Sequence, residues 1–168
     1  MVYTTQESAL SNSAISNYAE MVGHHHGIYS PSGRADLKHL LDKLGGTVDV
    51  SNSIFASEAL TVYGPQAGFV VHLPPLTSER RDRFTIAHEL GHYFLHYLEP
   101  GRTERVSFGR GERNRTETQA NVFAASLLMP ADYFRQAYRR LGSDWFALGD
   151  EFGVSAKAAE VRAQALRL

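Results

Sequence analysis

Residues 83–92 read RFTIAHELGH and contain the pattern His-Glu-x-x-His, in which His88 and His92 stand four positions apart. The surrounding sequence predicts a long helix that is capped by Thr77 or Ser78 and runs to about Tyr97. Residues four apart on a helix lie on one face and are separated by one turn, so the two imidazoles can reach a common point. This stretch therefore indicates both a helix and a site on its surface.

The residue types of the pattern indicate metal chemistry. Two imidazoles on one helix face can bind a zinc ion, which lowers the pKa of a bound water to about 7 and polarises a scissile carbonyl. Glu89 lies beside them, where its carboxylate can accept the proton of that water and pass it to the leaving amine. We expect His88 and His92 to bind one catalytic zinc ion and Glu89 to be the catalytic residue. An ordinary pair of surface or core histidines is the alternative.

A catalytic zinc ion usually has three protein ligands, so a third must come from elsewhere in the chain. Glu117 is the best candidate, because it begins a predicted helix that carries Asn121 one turn later on the same face. The Asn121 amide can support a ligand histidine from behind. Three other acids also follow the histidines and remain open as ligands: Glu99, Glu104 and Glu112.

Composition restricts the class of protein. The 168 residues are 43% hydrophobic and 21% charged, as in an ordinary globular protein, and none is a cysteine, which excludes thiol catalysis and Cys-ligated zinc. The net charge of −1 provides no global field for nucleic acid. The polar start of the chain does not resemble a signal peptide, and no stretch has the length of an apolar membrane span. We expect a cytoplasmic protein without membrane contact.

The pattern of elements predicts an α+β fold with a small antiparallel or mixed sheet packed on the His-Glu-x-x-His helix and on a second, ligand-bearing helix. Residues 99–115 are interpreted as a mobile surface loop, because they contain two close glycines and five arginines. We expect a peptidase domain with an N-terminal helix at 1–140 and a helix-turn-helix-like element packed on it at 141–168. The predicted helices cover 3–22, 37–44, 78–97, 116–128, 131–140, 145–152 and 155–166, and the predicted strands cover 47–50, 60–63 and 68–73.

The chain also resembles a known family. Residues 83–92, the segment ETQANVFAA at 117–125 and LLMP at 127–130 are similar to the ImmA/IrrE metallopeptidases. The resemblance covers roughly residues 30–165 and implies a zincin-like fold. It also implies that His88, His92 and Glu117 are the metal ligands and that Glu89 is the catalytic base. The length of the chain is similar to the short ImmA type, without the sensor domain of the IrrE type.

Family membership implies a substrate class. Members are bacterial or phage-borne zinc peptidases that cleave a helix-turn-helix repressor and so switch on genes of prophages, mobile elements or stress responses. We therefore expect a zinc endopeptidase whose partner is a small repressor. Two alternatives remain open: a catalytically silent module that docks a repressor, and a DNA-binding regulator that uses the C-terminal helices. Direct DNA binding is disfavoured, because residues 144–168 contain four acids and three bases.

Several weaker signals have no assigned function. His96 continues the histidine stripe, and packing of the helix end is favoured over a role behind the metal ligands. We do not expect the run His24-His25-His26 to bind a functional metal. The arginine-rich segment 102–115 is interpreted as a solvated loop. The segment 68–73 is either an edge strand that can pair with an extended peptide or an interior strand.

Overall fold

A computed structural model describes residues 5–109 and 114–168. It contains seven α-helices, one π-helix and four strands in these ranges. The predicted α+β class, with a small mixed sheet, is confirmed. The elements are α1 (Asn12–His25), α2 (Leu37–Leu44), β1 (Gly46–Val50), β2 (Ala59–Gly64), β3 (Gly68–Leu73), α3 (Glu79–His92), the π-helix (Tyr93–Leu98), β4 (Val106–Gly109), α4 (Arg115–Leu128), α5 (Ala131–Leu141), α6 (Trp145–Phe152) and α7 (Ala156–Ala165).

Side-chain caps fix where most helices begin. The Ser78 side chain accepts a hydrogen bond from the Arg81 backbone N–H at the start of α3, and Asp36 caps α2 in the same way. The α2 helix ends at Gly45, whose φ of 76° needs a residue without a Cβ. The prediction for the first helix was wrong by several residues, because Ser11 caps α1 and residues 5–11 precede it without helical structure.

The sheet has the order β1-β3-β2-β4. The β1–β3 pair is parallel, whereas β2 pairs antiparallel with both β3 and β4. The strand at 68–73 is therefore an interior strand, and the edge-strand option for it was wrong. Within the described residues, β1 and β4 form the edges of the sheet.

The arginine-rich segment is not entirely a loop. Residues 106–109 form β4, in which Val106 and Phe108 are buried and the residues between them are exposed. The prediction of an unstructured segment at 99–115 was therefore wrong for these residues. Its residues 110–113 lie outside the described part of the chain.

Helix α3 lies at the centre of the molecule, in contact with the sheet through β2 and β3 and with α4 on its other side. Helix α1 packs on α4. Burial of the apolar side chains in this layer supplies most of the driving force for folding, at about 25 cal/mol per Å² of apolar area. The fully buried side chains of this core include Leu90, Phe123 and Leu127.

The C-terminal helices are tied to the rest of the molecule by arginines. Arg83 of α3 donates to the backbone carbonyls of Phe152 and Gly153 at the end of α6. Arg162 of α7 is 5% exposed and donates to the Met129 carbonyl at 2.9 Å. The described ranges contain no helix with both the length and the apolar character that a bilayer crossing requires.

Candidate metal centre

Helix α3 places the two histidines of the motif together. The ring centroids of His88 and His92 are 4.8 Å apart, and their Nε2 atoms are separated by 3.2 Å. His92 is 3% exposed, whereas the side chain of His88 is 14% exposed and faces a surface hollow. The prediction that one helix face carries both imidazoles is confirmed.

Helix α4 supplies Glu117 because it approaches α3 very closely. A Cβ at Gly91 would lie 2.9 Å from the Ala120 Cα and 3.0 Å from its carbonyl oxygen, so only glycine fits at this crossing. The Asn114 side chain caps α4 by accepting a hydrogen bond from the Glu117 backbone N–H. Glu117 thus lies in the first turn of α4, opposite the two histidines.

Three side chains direct their ligand atoms toward one another. Glu117 Oε2 lies 3.2 Å from His88 Nε2, and Glu117 Oε1 lies 3.1 Å from His92 Nε2. Ligands of a tetrahedral zinc ion at about 2.0–2.1 Å from the metal are separated from one another by about 3.3 Å. The set of two imidazole nitrogens and one carboxylate leaves a fourth position open and fits a divalent transition-metal ion. In the described part of the chain, His88, His92 and Glu117 are the group of such side chains that can hold a metal.

The electrostatics of Glu117 and His92 agree with their geometry, whereas His88 behaves differently in the metal-free protein. Burial alone would lower the pKa of His88, but its contact with Glu117 and the charge of Glu89 raise it. Burial alone would raise the pKa of Glu117, but the imidazoles of His88 and His92, which lie 3.2 and 3.1 Å from its carboxylate, hold that pKa well below the ordinary value. Burial lowers the pKa of His92, so its imidazole is neutral at neutral pH. An ionised carboxylate and a neutral imidazole are the forms that bind a cation.

Glu89 lies beside these groups and is 3% exposed. Its Oε2 atom has no hydrogen-bond partner among the described residues. Burial raises the pKa of Glu89 to about 8, and the negative charges of Glu117 and Glu58 act in the same direction. The carboxylate lines a hollow of about 500 Å³ that is also lined by the metal-site triad. A buried carboxylate of this kind can take up and release a proton near neutral pH.

Further polar groups support the two histidines from behind. The Asn121 Oδ1 atom lies 2.8 Å from His88 Nδ1, as expected from the sequence. His96 is fully buried, with its Nδ1 atom 2.9 Å from His92 Nδ1 and its Nε2 atom 3.0 Å from Gln119 Oε1. The expectation of a packing role for His96 was therefore incomplete, because the ring also contacts His92.

Strand β4 also contributes to the site. The Phe108 ring stacks on His92 with a centroid distance of 5.6 Å and an interplanar angle of 13°. Gly109 lines the hollow next to Glu89. The sequence analysis missed both residues, although the alternation of apolar and polar residues at 106–109 is a strand signal.

A comparison with protein families matches the profile of a peptidase family, described as the IrrE N-terminal-like domain, to residues 50–164. This match covers more than half of the chain. The chain belongs to the IrrE N-terminal-like peptidase family. The resemblance to the ImmA/IrrE family is thereby confirmed.

Solved structures agree with the fold of this IrrE-like domain. A Mycobacterium tuberculosis transcriptional regulator superposes with a TM-score of 0.59 at 19% sequence identity. The match covers 86% of the present chain and 44% of the regulator, so the IrrE-like chain spans less than half of that protein. No curated protein matches the sequence significantly.

Two other candidate ligands of this IrrE-like domain lie away from the metal-site triad. Glu99 and Glu104 are exposed, and Glu104 pairs with Arg102 at 3.2 Å. Glu112 falls outside the described residues. His24 packs its ring against Tyr29 and Tyr133, and the run His24-His25-His26 is not part of the metal-binding group found in the described residues.

Proposed function

We propose that this protein is a zinc-dependent endopeptidase whose metal ligands are His88, His92 and Glu117. The observation that carries the proposal is the convergence of the His88 and His92 Nε2 atoms and the Glu117 carboxylate, with contacts of 3.1–3.2 Å between each pair of residues. They lie next to the buried Glu89 carboxylate, one oxygen of which has no hydrogen-bond partner among the described residues. A purely structural ion pair would not need the second acid, and a purely structural metal site would not need the open fourth position.

The roles of the side chains follow from their positions. A divalent ion held by the triad would supply a Lewis acid that polarises a carbonyl and acidifies water. Burial raises the pKa of Glu89 to about 8 in the metal-free protein, and a bound cation would favour its ionised form. The ionised Glu89 would accept a proton from water through Oε2 and pass it to the leaving amine. Asn121 holds the His88 ring in orientation through Nδ1.

The peptide substrate lies along the edge of the sheet in this proposal. Strand β4 is an edge strand whose Phe108 and Gly109 border the metal site. An extended peptide can pair with such an edge through its backbone, which holds it largely independently of its sequence. In this proposal the strand that pairs with the substrate peptide is therefore β4 and not β3.

The partner in the proposal is a small helix-turn-helix repressor, whose cleavage relieves repression. The support is the resemblance to the family, together with a structural neighbour that is named a transcriptional regulator. Direct DNA binding by the C-terminal helices is not part of the proposal. Of their bases, Arg162 is 5% exposed and Lys157 pairs with Glu160 at 2.9 Å, so neither is free for phosphate.

The decisive experiment compares the parent with Glu89→Gln on the repressor that is encoded nearest to its gene. Gln has nearly the same shape as Glu but cannot accept the proton of water, so the variant should bind zinc fully and cleave at least about 1,000-fold more slowly. Zinc content and cleavage products are measured on the same preparations. Equal cleavage by both proteins would remove Glu89 from the mechanism, and binding of the repressor without cleavage by either would favour the docking module.

A further inference from the structure

The side chain of Gln119 joins the N-terminal segment, residues 5–11, to the groups that lie behind the metal centre. The Ser8 backbone N–H donates to Gln119 Oε1 at 3.0 Å, and the Gln119 Nε2 group donates to the Ser8 carbonyl at 2.8 Å. Gln119 is fully buried on α4, although 111 residues separate it from Ser8 in the sequence. The N–H and the carbonyl of Ser8 thus bind the oxygen and the nitrogen of the Gln119 side-chain amide.

These two contacts decide which way the Gln119 amide faces. A backbone N–H is always a donor and a carbonyl is always an acceptor. Rotating the amide by 180° would place two donors together at the Ser8 N–H and two acceptors together at the Ser8 carbonyl. Its Oε1 atom is therefore fixed on the side of His96, whose Nε2 atom lies 3.0 Å away.

The orientation of this amide determines the tautomer of His96. An amide oxygen can only accept, and it has two lone pairs, so Gln119 Oε1 accepts from both the Ser8 N–H and His96 Nε2–H. The His96 ring is fully buried, and among the described residues its two ring nitrogens have hydrogen-bond contacts with Gln119 and His92 alone. A charged ring without a carboxylate partner is unfavourable at such a position, so His96 is neutral and its Nδ1 atom is an acceptor.

The tautomer of His96 in turn determines the tautomer of His92. His96 Nδ1 lies 2.9 Å from His92 Nδ1, and one of two nitrogens at this distance must donate. Since His96 Nδ1 accepts, His92 Nδ1 carries the proton. The lone pair of His92 then sits on Nε2, 3.1 Å from the Glu117 carboxylate and 3.2 Å from His88 Nε2, an arrangement that is favourable when a cation lies between these atoms.

We propose that Ser8, Gln119 and His96 form a hydrogen-bond relay through which the N-terminal segment sets the tautomer of His92 and directs its Nε2 lone pair into the metal site. Ser8, Gln119 and His96 are positioning residues in this relay, and their effect reaches the metal only through His92. The inference rests on the metal-binding part of the proposed function but not on cleavage. It assigns residues 5–11 a role in metal affinity.

The second histidine ligand has a different kind of support. His88 Nδ1 contacts Asn121 Oδ1, and Asn121 is exposed. No second contact of the Asn121 amide in the described residues fixes its orientation, so it can turn to suit either tautomer of His88. The relay behind His92 lacks this freedom, because backbone groups anchor its far end.

The first test is the protonation of His96, measured by long-range ¹H–¹⁵N correlation spectra of the protein with and without zinc. The expected result is a proton on Nε2 and none on Nδ1 in both states. In Gln119→Leu, which removes the acceptor, this preference should be lost. A proton on His96 Nδ1 in the parent would overturn the relay, whether or not the protein cleaves any substrate.

The second test is zinc affinity, measured by competition with a chelator. Loss of a group behind a metal ligand typically lowers affinity about 10- to 100-fold, and we expect this for Gln119→Leu and His96→Leu. His96→Asn should retain most of the affinity, because its amide oxygen stands near the position of Nδ1 and can accept from His92. Parent-like affinity in both leucine variants would contradict the relay, as would equal losses in His96→Leu and His96→Asn.

The role of the N-terminal segment is tested with a matched pair at Ser8. Ser8→Ala keeps both backbone groups and should bind zinc like the parent, whereas Ser8→Pro removes the N–H donor and should bind zinc several-fold more weakly. Thermal unfolding of the zinc-free variants shows whether each is folded. Equal zinc affinity of Ser8→Pro and Ser8→Ala would remove the N-terminal segment from the relay.

Discussion

At the scale of single residues, the positions of the side chains favour Glu117 as the third metal ligand. Glu117 reaches His88 and His92 at 3.2 and 3.1 Å, whereas Glu99 and Glu104 are exposed and do not reach them. We expect Glu117→Ala to lose most of its bound zinc and Glu99→Ala and Glu104→Ala to keep it. Zinc per protein chain after dialysis measures this, and full occupancy in Glu117→Ala would refute the assignment.

A second residue-scale prediction concerns the stability of the zinc-free protein as a function of pH. Burial raises the pKa of Glu89 from 4.5 to about 8. Between these values the unfolded chain has lost the proton while the folded chain retains it, so the parent loses stability as pH rises, by at most about 1.4 kcal/mol per pH unit. Below pH 4.5 the carboxyl is neutral in both states and this effect disappears.

Glu89→Gln is the matched control, because its amide does not titrate. The free energy of unfolding of the zinc-free parent should therefore fall relative to that of the variant between pH 4.5 and 8, as measured by urea denaturation in the presence of a chelator. Parallel curves for the two proteins across this range would show that Glu89 is not held protonated by burial.

At the scale of elements, the crossing of α3 and α4 sets the distance between the histidines and Glu117. Ala at position 91 would bring its Cβ within 2.9 Å of the Ala120 backbone, which cannot move aside without moving α4. We expect Gly91→Ala to push the helices apart by at least about half an ångström, the limit that metal-ligand geometry tolerates, and therefore to lower zinc affinity at least about tenfold. Chelator competition measures the loss.

Gly149→Ala separates this effect from general destabilisation. Its Cβ would lie 2.7 Å from the Val154 carbonyl oxygen, in α6, which holds none of the metal-site residues. Both variants should melt at lower temperatures than the parent, but only Gly91→Ala should lose zinc affinity. An equal loss of affinity in both would mean that the α3–α4 distance has no special role.

The helices were easier to predict from the sequence than the edge of the sheet. Capping residues such as Ser78 and Asp36 act locally, so the starts of α2 and α3 can be read directly from the chain. Strand β4 has only four residues and lies between arginines and glycines, and its identity depends on pairing with β2, which no local pattern shows.

The metal triad was predicted more completely than the groups behind it. The spacing of His88 and His92 is a helical signal, and Glu117 follows from a helix start and the family resemblance. Gln119 and Ser8 have no comparable signal, because their contact joins residues 111 positions apart. Only the packing of α1, α3 and α4 brings that contact to the site.

At the scale of the whole molecule, one ion pair ties the C-terminal helix to the first. Arg162 of α7 donates to Glu20 of α1 at 3.3 Å and to the Met129 carbonyl at 2.9 Å. The same Glu20 oxygen accepts from the Ala131 backbone N–H at 2.9 Å, at the start of α5. Four segments of the chain therefore meet at one buried guanidinium and one carboxylate.

Removing Glu20 should consequently destabilise the whole molecule. Glu20→Ala leaves the buried Arg162 charge and the Ala131 N–H without their Glu20 partner. Because the Glu20 side chain is partly exposed, we expect the free energy of unfolding to fall by about 2–3 kcal/mol. Glu160→Ala is the matched control, because it breaks an exposed pair with Lys157 and should cost below about 1 kcal/mol. Urea midpoints compared at constant m-value measure both changes. If the two variants lost equal stability, the Arg162–Glu20 contact would be no more than a surface pair, and α7 would be held to the molecule by its apolar face and by the Arg162–Met129 hydrogen bond.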